Sequence, residues 1–386
     1  MTKEFDFEQV IDRRGSDSDK WNKYAGRDVL PLWVADMDFA APPAVISALE
    51  QRIAHRVFGY GKPMASLVDT TLGYLQRRYG WQVSPEWLVW LPGLVTGLNV
   101  ACRAVDGSVL TAIPVYPPFL SAPRLAGQEL STVPLVLAGN ARESWQWDFE
   151  RLEAAVTPQT RLLLLCHPHN PVGRAWRVDE LTRLADFCRR HDLTICSDDI
   201  HCDLILEPGR QHLPLALVED MAQRTVTLMA PSKTYNIPGL ACSLAVIPNA
   251  SLRQRFSAVM RGIVPEVNVL GFAAAEAAFS ECDAWREALI ETLRTNRDLV
   301  EATVAKTPGL SMTHIEATYL AWIDARRLPI GNIANPALFF EEAGIGLSNG
   351  ADFGLPGWVR LNFGCPRQTL ESALQRITAA CEKLKA

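Results

Sequence analysis

The sequence contains no apolar run that approaches the length of a membrane span, and its charged start, MTKEFDFEQVIDRRG, has no apolar segment typical of a secretory signal. It also has no block of basic residues: Lys and Arg are scattered, and the net charge is −5. Internal repeats and low-complexity linkers are missing as well. These absences argue against nucleic acid and against a membrane as partners, and they favour a globular protein that acts on a small molecule.

The nine cysteines are an odd number, and none of them occurs in a C-x-x-C pair. A structural zinc site is therefore not expected, and neither is a disulfide framework. The pair of histidines in His167-Pro-His169 is better explained as turn residues than as metal ligands. Reduced, mostly buried thiols predict a cytoplasmic protein that holds no metal.

The 386 residues exceed the usual size of one hydrophobic core, so a large and a small domain are expected. Apolar segments that predict buried strands alternate with helical patterns in the middle of the chain, at Arg161–Cys166, Leu193–Ser197 and Arg224–Met229. This alternation is typical of an α/β fold whose mainly parallel sheet is covered by helices. The predicted division is a large domain at 45–283, a small α+β domain at 284–386, and an N-terminal segment, 1–44, that packs with the small domain.

Polar residues follow these predicted strands directly, where ligands bind in parallel sheets. Asn170 follows the first strand, Asp198 the second and Lys233 the third, and Arg360 adds a cation later in the chain. Each residue alone has an ordinary explanation: a solvated loop lysine, a turn aspartate or a surface salt bridge. Their order at successive strand ends points to one shared site.

The four side chains fit the tasks that one cofactor, pyridoxal 5'-phosphate, requires. A buried lysine with a lowered pKa can form an imine with an aldehyde, and Asp198 can pair with a protonated pyridine nitrogen. Asn170 can donate a hydrogen bond to a ring oxygen, and Arg360 can bind an α-carboxylate with two hydrogen bonds. The sequence therefore predicts a pyridoxal-phosphate enzyme that acts on an amino acid.

Several motifs resemble a known family. N-P-V-G, S-D-D-I-H and A-P-S-K-T-Y-N are similar to motifs of the class I/II aminotransferase superfamily, whose members are fold-type I pyridoxal-phosphate enzymes. PLWVADMDF, PVYPPF, ATYLAW and RLNFGCPR narrow the resemblance to the cystathionine β-lyase or cysteine–sulfur β-lyase branch, from about residue 20 to the C-terminus. This resemblance implies a fold-type I transferase architecture.

The resemblance also implies roles for the ring-binding residues. Lys233 matches the lysine that forms the Schiff base and later acts as general base, and Asp198 matches the partner of the pyridine nitrogen. Asn170 matches the donor to the ring hydroxyl and a contact of the substrate carboxylate. His201 stands where many aminotransferases have a tyrosine near that hydroxyl, and Tyr116 matches the aromatic residue that stacks on the ring, although core packing is an alternative for it.

The remaining matched positions concern the phosphate and the substrate. Leu94, Val95 and Thr96 begin a helix that can hold the phosphate, and Ser232 is a second candidate. Tyr60 matches a tyrosine that reaches the phosphate from the neighbouring subunit, which implies a homodimer with shared sites. Ala35 matches a loop whose backbone meets the substrate carboxylate next to Arg360.

Three positions in these motifs carry no assigned role or depart from the pattern. Asp36 and Asp38, in the same loop, are expected to cap a helix or to form a turn. Asp199 stands where the motif leads us to expect Glu, and it is expected to lie behind the ring-binding residues.

The branch implies α,β-elimination of L-cystathionine or a related L-cysteine S-conjugate to a thiol, pyruvate and ammonia. A pyridoxal-phosphate aminotransferase remains an alternative because both reactions begin with the same residues and the same proton removal. A regulator that acts through protein contacts is a further alternative, which the intact set of Lys233, Asp198 and Arg360 disfavours.

Overall fold

The computed structural model describes residues 5–138 and 144–384. Within them the α-helices are, in chain order, α1 (Asp19–Asn22), α2 (Pro43–Ala54), α3 (Ala65–Tyr79), α4 (Leu94–Ala104), α5 (Pro118–Leu125), α6 (Phe149–Ala155), α7 (Val178–Arg190), α8 (Ala250–Met260), α9 (Val269–Glu281), α10 (Asp283–Lys306), α11 (Pro336–Glu342) and α12 (Arg367–Lys383). The strands are β1 (Leu30–Pro31), β2 (Leu88–Leu91), β3 (Ser108–Ile113), β4 (Leu130–Pro134), β5 (Val136–Ala138), β6 (Ser144–Gln146), β7 (Thr160–Cys166), β8 (Thr194–Asp198), β9 (Thr225–Met229), β10 (Ser243–Val246), β11 (Ser311–Met312), β12 (Leu320–Asp324), β13 (Ile345–Gly346), β14 (Ser348–Asn349) and β15 (Trp358–Asn362).

A seven-stranded sheet in the order β2-β10-β9-β8-β7-β3-β4 forms the centre of the large domain. Only β10 runs against its neighbours, so the sheet is mainly parallel. Strands β7, β8 and β9 are buried almost throughout, as expected for strands that are covered on both faces. The predicted α/β architecture is therefore confirmed.

Helices cover both faces of this sheet. On one face α4, α5 and α8 contribute to a core that contains Leu98, Phe119 and Phe256. On the other face α6 and α7 bury Leu152 and Phe187 against residues of β3, β7 and β8. The apolar residues of α7 recur at helical spacing, which places most of its polar residues towards solvent, while Glu180 is buried and pairs with Arg174.

A second, antiparallel sheet of four strands, in the order β11-β12-β15-β14, lies in the C-terminal part of the chain together with α10 and α12. Strand β1, from the N-terminal segment, pairs in parallel with β13. The division of the chain at residues 44 and 283 stays a prediction.

The nine cysteines are all free and buried. No helix among the described residues is long and apolar enough to span a bilayer. His167 and His169 each bond a backbone carbonyl, of Leu213 and Pro114 respectively.

Candidate active site

A cavity of about 250 Å³ lies at the carboxyl ends of the parallel strands. All but one of the site residues predicted from the sequence line it: Ala35, Leu94, Val95, Thr96, Tyr116, Asn170, Asp198, His201, Ser232, Lys233 and Arg360. Tyr60 is the exception, since its side chain is fully exposed on the surface of this single chain. The roles assigned to these residues stay predictions, but their convergence in one cavity is a structural fact.

The topology of the sheet explains this convergence. Asp198 is the last residue of β8, Lys233 lies in the turn after β9, and Asn170 lies in the turn after β7. These strands are neighbours and run in the same direction, so their ends meet at one edge. Arg360 reaches the same cavity from β15 of the second sheet.

The Lys233 amine is buried in the cavity wall. Its Nζ donates a hydrogen bond to the carbonyl of Ala35 at 2.5 Å, and the Tyr319 hydroxyl donates to the same carbonyl at 3.0 Å. Burial lowers the pKa of Lys233 to about 8, against the opposing effect of the Asp36 charge. The amine can therefore lose its proton near neutral pH, which a nucleophile or a general base requires.

The Asp198 carboxylate is also buried. Among the described residues it accepts a hydrogen bond only from the backbone N–H of Ile200, at 3.1 Å. Burial raises the pKa of Asp198 to about 7, and the neighbouring Asp199 charge adds to that increase, while the Ile200 N–H opposes it. A buried carboxylate without a bound cation is suited to a cationic group of a ligand.

Arg360 is a buried cation, and no described carboxylate forms a salt bridge with it. Its Nη1 donates to Asn170 Oδ1 at 3.0 Å, and its Nη2 donates to the Trp33 carbonyl at 2.8 Å and to Ser348 Oγ at 3.3 Å. Its Nε has no hydrogen-bond partner within the described ranges, and burial lowers the pKa of Arg360 to about 10. This burial excludes the surface salt bridge considered from the sequence and leaves a cation that an anionic ligand can neutralise.

Three further side chains line the cavity. The His201 ring meets Tyr319 edge to face, and burial lowers the pKa of His201 to about 3, so the ring is neutral. Burial raises the pKa of Tyr116, so its hydroxyl keeps its proton. The bond from Arg360 occupies Asn170 Oδ1, and the Asn170 Nδ2 group has no partner among the described residues, which leaves it available as a donor.

The start of α4 gives the cavity a place where an anion can bind. Helix α4 begins at Leu94, after Gly93, which provides no side-chain cap. The first backbone N–H of this helix that is bonded within it belongs to Gly97, which donates to the Gly93 carbonyl at 3.2 Å. The N–H groups of Leu94, Val95 and Thr96 are therefore free for a ligand, and Ser232 adds a hydroxyl to the same wall.

A loop of residues 33–37 contributes Val34 and Ala35 to the cavity lining, and side chains from elsewhere in the chain bind every one of its backbone carbonyls. The donors are Arg360 and Ser348 to Trp33, Asn362 to Val34, Lys233 and Tyr319 to Ala35, Asn362 and Lys20 to Asp36, and Asn236 and Arg13 to Met37. This fixation holds Ala35 in the cavity. These donors could not be predicted from the sequence, because they come from distant segments and share no motif.

Asp36 and Asp38 form ion pairs rather than caps or turns, so that prediction was wrong. Asp38 accepts from Lys20 Nζ at 2.6 Å and from Arg13 Nη1 at 2.7 Å, and Asp36 accepts from Arg13 Nη2 at 2.5 Å. Lys20 is only 1% exposed. A lysine buried to this extent requires a carboxylate partner, and Asp38 is that partner.

Comparison with known proteins identifies the family. The model of "Aminotransferase class I and II" matches residues 27–377. A cystathionine β-lyase of Bacillus subtilis, PatB, is 37% identical over 387 residues, which cover 97% of this chain and 99% of the relative. A crystal structure of a protein named OvoB is 51% identical with a TM-score of 0.94 and covers 98% of this chain and 99% of that one.

The crystal structure of cystalysin from Treponema denticola, which contains pyridoxal 5'-phosphate, is 31% identical with a TM-score of 0.93. It covers 98% of this chain and 99% of its own. These matches confirm the fold-type I architecture that the motifs predicted. The chain belongs to the class I and II aminotransferase family.

Proposed function

We propose that this protein is a pyridoxal-phosphate enzyme that cleaves the Cβ–S bond of L-cystathionine or a related L-cysteine S-conjugate. The near full-length similarity to the cystathionine β-lyase of Bacillus subtilis carries the reaction type. The cavity supports this proposal, because the Lys233 amine, the Asp198 carboxylate and the Arg360 guanidinium converge there and are buried. Neither Asp198 nor Arg360 forms a salt bridge with another described residue.

The residues of the cavity fit the proposed cofactor. The free N–H groups at the start of α4 and the Ser232 hydroxyl would hold its phosphate, and Asp198 would pair with its ring nitrogen. Asn170 would donate to the ring oxygen beside His201, and Tyr116 would lie against the ring. When bound, the cofactor supplies an electron sink for the negative charge that develops on the substrate Cα.

The reaction then depends on groups of this chain. Arg360 holds the substrate carboxylate through its Nε and a terminal nitrogen, which fixes the orientation of Cα. Lys233 Nζ removes the proton from Cα as a general base. The Cβ–S bond breaks, its electron pair leaves with sulfur as a thiolate, and water converts the remaining fragment into pyruvate and ammonia. With L-cystathionine the thiol is homocysteine.

An aminotransferase uses the same groups for proton removal, so the reaction type has to be tested by turnover. With L-cystathionine and no keto acid, we expect sustained formation of pyruvate and homocysteine over many turnovers. Elimination returns the enzyme to its starting form, whereas transamination stops after one half-reaction. A single stoichiometric burst that resumes only when pyruvate or 2-oxoglutarate is added would overturn the lyase proposal while leaving the cofactor proposal intact.

The proposal includes a homodimer with shared sites. An exposed apolar segment between α2 and α3 supports it, because Val57, Phe58, Tyr60 and Met64 all project into solvent from this single chain. Tyr60 is proposed to reach the phosphate end of the partner's cavity. Free buried thiols support a cytoplasmic location.

Mixed dimers test the shared site. Lys233→Ala and Tyr60→Ala proteins, each inactive alone, are unfolded together and refolded as a mixture. Mixed dimers then contain one site with both residues intact, so activity should return to about a quarter of the parent's. No recovery from a mixture that forms mixed dimers, or a fully active monomer, would contradict the shared site.

A further inference from the structure

Asp199, the residue that departs from the family motif, is fully buried behind the cavity. Its Oδ2 accepts a hydrogen bond from His212 Nε2 at 2.7 Å, and the Ser197 hydroxyl donates to its Oδ1. The side chains of Asp199 and His212 both have 0% of their surface exposed. Successive residues of a strand point to opposite faces, so Ser197 and Asp198 in β8 face opposite ways, and Asp198 lines the cavity. The hydrogen bond from Ser197 places the Asp199 carboxylate on the Ser197 side, away from the cavity.

His212 is held in place by two aromatic neighbours. Its ring lies 4.3 Å from that of His167, with an angle of 35° between the planes. The Tyr79 ring meets it edge to face at 5.7 Å. These two contacts restrict the ring, and its Nε2 is directed at Asp199.

Backbone hydrogen bonds of His167 and Asp199 hold the main chain at Asp198 in place. The backbone N–H of His167 donates to the Asp198 carbonyl at 3.0 Å, and the N–H of Asp199 donates to the Leu228 carbonyl at 2.9 Å. His167 therefore binds the peptide of Asp198 with its backbone and supports His212 with its ring. A displacement of His212 or Asp199 would be transmitted to Asp198 through these contacts.

We propose that Asp199 and His212 are a positioning pair for Asp198, which hold its carboxylate towards the cavity and add the negative charge that keeps a bound pyridine nitrogen protonated. The inference rests on the proposed function in that the pyridine is that of the cofactor. The negative charge of Asp199 raises the pKa of Asp198 in the free protein because it attracts a proton to this site. The same attraction would stabilise a protonated pyridine nitrogen placed against the ionised Asp198 carboxylate.

The decisive variant is Asp199→Asn, which keeps the size of the side chain and its oxygen acceptor for His212 but removes the charge. The matched control is Glu301→Gln, which makes the same change at the carboxylate that accepts from His314 Nδ1 at 3.0 Å and does not line the cavity. Holoenzymes are prepared with cofactor labelled with ¹⁵N in the ring. The ¹⁵N chemical shift, the dissociation constant of the cofactor and the urea unfolding midpoint are then measured.

In Asp199→Asn we expect the ¹⁵N signal of the cofactor to move towards that of an unprotonated pyridine. The dissociation constant of the cofactor should rise about tenfold or more, as it does for metal ions when a residue that orients a direct ligand is replaced. Glu301→Gln should have the same ¹⁵N shift and the same dissociation constant as the parent. A folded Asp199→Asn protein with the parent's ¹⁵N shift and dissociation constant would show that the pair is purely structural and overturn the proposal.

If Asp199→Asn does not fold, His212→Gln carries the test, because it keeps the charge and a donor but removes the stacked ring. The dissociation constant of the cofactor must then be higher in His212→Gln than in the parent, and an unchanged value would overturn the positioning role. Failure of the parent chain itself to bind the cofactor would instead refute the proposed function, so the two failures are distinguishable.

Discussion

Replacing Arg360 with Met separates the contribution of this arginine to stability from its contribution to substrate binding. In the free protein Arg360 is 4% exposed, and among the described residues it lacks a carboxylate partner and its Nε lacks any partner. Burial lowers its pKa to about 10. Methionine has a similar length and no charge, so the variant removes the cation while it fills most of the space.

The effect on stability follows from two opposing contributions. A pKa lowered to about 10 corresponds to about 3 kcal/mol of destabilisation from the buried charge. The folded state binds the guanidinium proton more weakly than the unfolded chain does, so this destabilisation by the buried charge is present at every pH below about 10. The variant also loses the bonds to Asn170, Trp33 and Ser348, at about 1 kcal/mol each. We therefore expect the free energy of unfolding to change by less than about 2 kcal/mol.

The effect on catalysis should be much larger. Loss of a buried partner for the substrate carboxylate costs about 2–5 kcal/mol, which lowers kcat/KM by about 30-fold to several thousandfold. For Arg360→Lys we expect a kcat/KM between those of the parent and of Arg360→Met, because lysine keeps the charge but cannot form two parallel hydrogen bonds with a carboxylate.

The assay compares kcat/KM for an L-cysteine S-conjugate with that for the corresponding amine without a carboxylate, alongside urea unfolding of the same proteins. The parent should prefer the amino acid strongly, and Arg360→Met should lose that preference. Equal use of both compounds by the parent, or an unchanged kcat/KM in a folded Arg360→Met protein, would refute the role of Arg360.

Three other substitutions and one pH series give further expected outcomes. Lys233→Ala should abolish turnover and the covalent adduct that borohydride traps between protein and cofactor, and a stoichiometric adduct in that variant would remove the central assignment. In the parent, the rate of this attachment should rise with pH to a midpoint near 8, because burial lowers the pKa of Lys233; a midpoint near 10.5 would contradict it. Asp198→Asn should retain some cofactor but lose most activity, and near-normal turnover would show a structural role. Asp38→Asn should lower the free energy of unfolding by about 3–5 kcal/mol in urea titrations, because it leaves Lys20 buried without its partner. Burial alone would raise the pKa of Asp38, but Lys20, Trp21 and Arg13 hold it below its usual value, so this stabilisation should be present at neutral pH and lost as the pH falls through the folded-state pKa.

The sequence predicted the parts of the site that a simple topological rule positions. Apolar runs identified β7, β8 and β9, and the carboxyl ends of neighbouring parallel strands must meet, so Asn170, Asp198 and Lys233 could be grouped from the order of the strands alone. The segment boundaries differ by one residue: the strand predicted at Arg161–Cys166 begins at Thr160, and the strand predicted at Leu193–Ser197 runs from Thr194 to Asp198.

The parts that the sequence did not predict depend on irregular segments. His212 lies thirteen residues after Asp199 in a stretch without regular helix or strand, so no periodicity links the two. The ion pairs of Asp38 with Arg13 and Lys20 likewise join separate segments through packing alone. Propensity and strand alternation describe neighbours along an element, and neither contains information about contacts between loops.

The loop of residues 33–37 has a practical consequence for anyone who shortens or extends this protein at its N-terminus. Arg13 and Lys20 hold the loop from one side, and Asn362 and Lys233 hold it from the other. Removing the residues before α1 would delete Arg13 while leaving the central sheet intact. Such a shortened protein should still fold its large domain, and its Ala35 carbonyl would keep the hydrogen bonds from Lys233 and Tyr319. The Met37 carbonyl and the carboxylates of Asp36 and Asp38 would lose Arg13 as a partner, so the deletion would loosen the loop that lies beside the reactive amine.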